Sequence, residues 1–148
     1  MKLSKVVISA AVLAIGAQSS VQAHSGGAVL GADGTNPSAT ALAAITCFDD
    51  GNGQPAKLFS QIQDRSEPVE GLLLSMQIYK GNKATSITDP ISGDADYSEP
   101  VELEGGPGVY WVMVNKTAAG PRQFDLIWHC VAENEAHTGT DIVVKQFQ

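Results

Sequence analysis

The chain has 148 residues, of which 43% are hydrophobic and 17% are charged, and its formal net charge is −7. Its lysines and arginines are scattered, so it lacks the basic stripe that a nucleic acid backbone requires, and its acidity also disfavours binding to anionic membrane surfaces. No apolar run approaches the roughly 20 residues of a membrane-spanning helix, so we predict neither a nucleic-acid partner nor membrane insertion.

The first 23 residues have the pattern of a removable Sec-type signal peptide. Lys2 and Lys5 give a positive start, residues 6–17 form a short apolar run, and residues 21–23 place small side chains at the two positions that a signal peptidase reads. Cleavage would remove two lysines and no acidic residue, so the net charge would fall from −7 to about −9. We therefore expect a periplasmic or secreted protein that begins at His24.

Residues 24–148 have the size of one domain, and we predict a single β-sandwich domain there. Residues 24–40 are rich in Gly, Ala, Ser and Asn, which predicts an irregular N-terminal arm that could include a short edge strand. Beyond the arm, short apolar or alternating runs are separated by clusters of turn-forming residues, which predicts strands. In chain order, the predicted segments are 41–48, 58–63 (strand or short helix), 72–79, 85–89, 109–114, 124–131 and 142–144.

The clearest pattern is a β-hairpin formed by residues 109–114 and 124–131. In its second strand, period-two alternation separates a core face from an outward face that carries His129. The core-facing residues are Phe124, Leu126, Trp128 and Cys130. Short strands without a long helical period predict an antiparallel β-sandwich of about seven or eight strands.

Cys47 and Cys130 are the only cysteines, and an even count in an exported chain predicts a disulfide between them. Such a bridge closes a loop of a little over 80 residues, for which loop entropy suggests a stabilisation of about 4 kcal/mol. A disulfide between an early and a late strand beside Trp128 is similar to the arrangement in immunoglobulin domains, although Trp128 stands where those domains have a tyrosine. The resemblance implies an immunoglobulin-like or related sandwich.

His24 offers the most specific chemistry in the sequence. After cleavage it would carry a free α-amine beside its imidazole, and the amine and Nδ1 together can chelate one metal ion. His129 or His137 could supply a further nitrogen, and imidazole suits copper. The alternative is that all three histidines are solvated and that the glycines at positions 26 and 27 leave the arm mobile.

Such a site resembles the histidine brace of lytic polysaccharide monooxygenases and of several periplasmic copper-binding proteins, which also place it on β-sandwiches. The resemblance covers His24 and the architecture, and it implies copper as the cofactor. Calcium is the weaker candidate, because the two acidic clusters lack the spacing of a calcium-binding loop and are typical of turns. These clusters are Asp49, Asp50 and Asn52, and Asp94, Asp96 and Glu99.

Catalytic motifs are missing from the sequence, which has no Gly-x-Ser-x-Gly elbow, no His-Glu-x-x-His and no phosphate-binding glycine loop. We therefore expect an exported binding or interaction module that is not an enzyme, with copper binding at His24 as the sharpest hypothesis. Its partner would be a metal ion or an extracellular protein. A copper-dependent oxidative enzyme and a structural protein that assembles with copies of itself are the alternatives.

Overall fold

The computed structural model describes residues 24–148, so the predicted signal peptide lies outside the described residues. The described chain forms nine antiparallel strands, which confirms the predicted all-β sandwich class and adds at least one strand to the expected number. No helix within residues 24–148 is suited to crossing a membrane. The strands are β1 (His24–Leu30), β2 (Thr40–Phe48), β3 (Pro55–Asp64), β4 (Leu74–Lys80), β5 (Lys83–Thr88), β6 (Val101–Glu104), β7 (Gly108–Lys116), β8 (Arg122–Ala132) and β9 (His137–Phe147).

The strands form two facing layers that are joined through β9. One layer has the order β5-β4-β7-β2-β9, and the other is centred on β8, with β3 and β6 on one side and β1 on the other. The first two residues of β9, His137 and Thr138, pair with β8. From Gly139 onward the strand pairs with β2 instead. One continuous sheet therefore supplies both layers.

Alternation along β8 determines which of its side chains enter the space between the layers. Phe124, Leu126, Trp128 and Cys130 all have 6% or less of their surface exposed, which confirms the predicted core face. They share one hydrophobic core with residues of the facing layer such as Ile45. Burying each large apolar side chain contributes about 1.5–3 kcal/mol, so contact between the layers is a main source of stability.

The predicted disulfide between Cys47 and Cys130 is present, with 5.5 Å between the two Cα atoms. Cys47 lies on β2 and Cys130 on β8, so the two cysteines belong to different layers. Both are almost completely buried. The disulfide is therefore a covalent cross-link through the core of the sandwich.

The N-terminal arm is more regular than the sequence suggests, because residues 24–30 form β1 along one edge of β8. The glycines there do not interrupt the strand, since pairing with β8 supplies its hydrogen bonds. A Cβ atom on Gly27 would lie 2.2 Å from the carbonyl oxygen of Phe124, so this close approach of two backbones requires glycine. Residues 31–39 remain irregular.

A buried ion pair holds two loops against the end of the sandwich. Arg122 is 1% exposed, and its Nη1 donates to Asp64 Oδ2 at 3.2 Å. The same nitrogen donates to the carbonyl oxygen of Glu67 at 2.9 Å and to Ser92 Oγ at 3.1 Å. Arg122 thus connects the loop after β3 with the loop after β5.

Candidate functional site

The three histidines of the chain lie on neighbouring strands around β8, although they are far apart in sequence. His129 lies on β8 itself, His24 begins β1 opposite Trp128, and His137 begins β9 opposite Val131. β1 and β9 follow the same edge of β8, one after the other. The fold therefore places His24 and His137 on either side of the position occupied by His129, and we call these three residues the histidine cluster.

His129 and His137 are in direct contact. Their ring centroids are 4.2 Å apart with 22° between the ring planes, and on its other side the His129 ring stacks on Phe59, with centroids 4.4 Å apart. This stack lies on the outer face of β8 and β3. The predicted outward orientation of His129 agrees with this position, but its two aromatic neighbours leave it only partly exposed.

His24 points to the other face of the sheet. Residues directly opposite each other in an antiparallel ladder project from the same face, so His24 shares the core face with Trp128. The centroids of the two rings are 6.4 Å apart. Within residues 24–148, no group of three His, Cys, Asp or Glu side chains is placed to hold a metal ion. The structure thus brings His129 and His137 together and leaves the His24 ring on a separate face.

The Nδ1 atoms of all three histidines are buried and lack a hydrogen-bond partner. Within residues 24–148, seven buried side-chain polar atoms lack a partner, and these three are among them. Buried polar atoms are nearly always hydrogen-bonded, and an unpaired one costs about 1–3 kcal/mol. Three unpaired imidazole nitrogens around one strand therefore mark this region as a candidate site.

The environment of His129 keeps its imidazole neutral. Burial, together with smaller contributions from repulsion by charges on His137 and His24, lowers the pKa of His129 to about 4. A neutral imidazole has a lone pair free to bind a metal ion. Near neutral pH, His129 is therefore in the protonation state that a ligand needs.

We predict that acid destabilises the protein through His129. An unfolded chain takes up a proton at this residue near the ordinary histidine pKa of 6.5, whereas the folded chain does so only near 4. The unfolding free energy should therefore fall as the pH drops from about 6.5 towards 4, with His129 contributing about 1–2 kcal/mol. Urea unfolding at about pH 7 and pH 5 measures this loss.

His129→Phe is the matched variant, because phenylalanine keeps a ring against Phe59 and cannot titrate. Its unfolding free energy should decline less on acidification than that of the wild type. Equal declines in the two proteins would show that His129 is not responsible.

The two acidic clusters form turns. Asp49 Oδ1 accepts a hydrogen bond from the Gly51 amide at 2.9 Å, and Asp94 Oδ1 accepts one from the Asp96 amide at 3.0 Å. Bonds from an Asp side chain to the backbone two residues later are typical of Asx turns. The arrangement agrees with the interpretation of these clusters as turns.

Phe59 is a member of the site region that the sequence analysis did not identify. It becomes a neighbour of His129 through the pairing of β3 with β8, where the two residues lie directly opposite each other. Alternation within residues 58–63 could have assigned Phe59 to an outward face. The strand partner that places it beside His129 is a matter of topology, which no local pattern indicates.

No protein-family model matches the chain, and comparisons with curated proteins and with solved structures gave no significant match.

Proposed function

We propose that the protein is exported and binds a copper ion at the histidine cluster, with His24 as the first residue of the mature chain. The observation that carries this proposal is the set of three buried, unpartnered Nδ1 atoms around one strand. A bound cation would engage nitrogen lone pairs that otherwise lack partners. Imidazole and amine nitrogens favour copper over the other common divalent ions.

His24 would chelate the ion through its α-amine and its Nδ1. The amine would belong to the first residue of β1, at the edge of β8. There His24 lies opposite Trp128, and His129 is the next residue of β8. Because the His24 ring lies on the core face, it would have to turn towards this edge so that its Nδ1 and the amine bind the same ion.

His129 or His137 would complete the site after a local rearrangement. Because their rings are stacked nearly parallel, their in-plane lone pairs do not converge on one point. Rotation of one ring out of the stack would let it face the ion. His129 loses contact with Phe59 if it rotates, so we expect His137, which begins its strand, to be the ring that moves.

The decisive experiment combines intact mass with copper(II) titration of the naturally exported protein. The mass should show that the chain begins at His24. Electron paramagnetic resonance should show nitrogen ligation, and His24→Ala should weaken copper binding about a hundredfold or more because it removes an intramolecular second ligand. His129→Gln and His137→Gln then identify the residue that supplies the further nitrogen.

Two controls separate the amine from the side chain. Ser25→Ala changes the neighbouring residue and should leave the spectrum unchanged. One additional alanine between Ala23 and His24 keeps the imidazole but moves the free amine one residue away, which changes the chelate ring and should therefore change the spectrum. A mature chain beginning elsewhere, or an unchanged spectrum in His24→Ala, would refute the proposal.

A further inference from the structure

An apolar cavity of about 210 Å³ lies between the layers at the edge formed by β1 and β9. Protein cores are normally packed so closely that spaces much larger than a water molecule are rare. Its lining consists of small, aliphatic and aromatic residues of β1, β2, β7, β8 and β9. With no charged side chain in this lining, the space is unsuited to an ion.

Small residues on both layers produce the cavity. Gly26 and Ala28 of β1 turn to the core face, because they lie opposite Leu126 and Phe124 of β8. Across the gap, Ala41 and Ala43 lie on the inward face of β2. Two packed sheets are about 10 Å apart, a distance that large side chains normally fill. Here neither layer supplies them.

The cavity is bounded at both ends and open at its side. At one end β9 pairs with β8, and at the other the Gly31 amide donates to the carbonyl oxygen of Gln148 at 3.0 Å. Between these points β1 and β9 form no ladder with each other. Val144 and Phe147 line the cavity although 64% and 49% of their surfaces are exposed, which places them at its mouth. Closure at both ends leaves room for a compact molecule, not for an extended peptide strand.

Trp128 lines this space with the carbon edge of its ring. A Cβ atom on Gly26 would lie 3.3 Å from its Cη2 and 3.6 Å from its Cζ3. The indole Nε1 is buried without a hydrogen-bond partner, and it is closed to the cavity. The ring therefore offers a ligand apolar contact alone.

We infer that the cavity binds a small, uncharged and apolar molecule. An apolar cavity of about 150 Å³ suffices for benzene, so this one admits roughly six to ten non-hydrogen atoms. The lining selects against charge, because a charged ligand would lose its hydration there without gaining a partner. This site requires neither copper nor a particular N-terminal residue, so it is independent of the function proposed above.

Nuclear magnetic resonance of the ¹⁵N-labelled protein tests the inference with two probe molecules. Cumene and benzoate have the same number of non-hydrogen atoms, and only benzoate is charged. The chain has two tryptophans, so the indole of Trp111, which is outside the lining, serves as an internal reference. Cumene should shift the Trp128 indole signal saturably through its contact with the ring, and it should bind at least about tenfold more tightly than benzoate.

Cavity-filling variants provide the structural control. Ala28→Leu and Ala41→Leu fill the space from opposite layers, and each should abolish binding of cumene while leaving the melting temperature unchanged or raised. Ala84→Leu, on the exposed strand β5, should bind like the wild type. If one filling variant fails to fold, the other still decides the question.

Three outcomes would overturn the inference. They are a shift that does not saturate, an equal effect on the Trp111 indole, and binding that survives in a folded cavity-filling variant. Equal affinities for cumene and benzoate would refute the selection against charge by the apolar lining.

Discussion

Replacing Arg122 with methionine is expected to destabilise the protein by about 3–5 kcal/mol. The change leaves the Asp64 carboxylate, which is completely buried, without its countercharge. It also removes the donor that serves the Glu67 carbonyl and the Ser92 hydroxyl. Because domains of this size are stable by only about 5–15 kcal/mol, the loss would be a large part of the total. The midpoint of urea unfolding measures it.

The exposed ion pair between Arg65 and Asp125 provides the matched control. Its nitrogen and oxygen are 2.8 Å apart, but the Arg65 side chain is 52% exposed. Arg65→Met should therefore cost no more than about 1 kcal/mol. The double variant Arg122→Met/Asp64→Leu should be more stable than Arg122→Met alone, since it removes the uncompensated charge. If Arg122→Met and Arg65→Met unfold at the same urea concentration, the buried ion pair contributes no more to stability than the exposed one.

Loss of the Cys47–Cys130 disulfide is the second large effect that we expect. The bridge joins residues 83 positions apart, and opening it frees the unfolded chain from a long closed loop. The expected destabilisation is about 4 kcal/mol. Unfolding by urea with and without a thiol reductant measures it directly.

Comparing the reduced protein with the double variant Cys47→Ala/Cys130→Ala separates two contributions to stability, that of the cross-link and that of the packing of the sulfur atoms. The reduced protein keeps both buried sulfur atoms, whereas the variant loses them and leaves a small cavity. The variant should therefore be somewhat less stable than the reduced wild type. Coincident unfolding of the oxidised and reduced proteins would show that the cross-link adds no stability.

The sequence predicts strands best where apolar residues alternate. Residues 109–114 and 124–131 are parts of β7 and β8, and the inward set of β8 is correct to the residue. The prediction of residues 142–144 as the last strand captures only part of β9, which begins at His137. Residues 137–141 are polar or small, and they form a strand because β8 and β2 supply partners. No local pattern in that segment indicates such partners.

The candidate site was predictable in its residues and not in its arrangement. The three histidines are evident in the sequence, but their proximity along β8 depends on β1 and β9 following the same edge of that strand. The cavity was missed for a related reason. In the sequence, Gly26 and Ala28 look like parts of an irregular arm, and Ala41 and Ala43 look like parts of an ordinary strand. Only the pairing of the strands shows that the two sets face one another.

The position of β9 also affects when the protein can fold. β9 is the last described strand and the one that joins the two layers, so the sheet cannot become continuous before residues 137–147 have been synthesised. Most of its pairings connect segments that are distant in sequence, such as Ala41 with Phe147. Such high contact order slows folding, and it leaves early strands without partners while the chain grows. If the chain is exported as proposed, this delay would keep it unfolded until it has crossed the membrane.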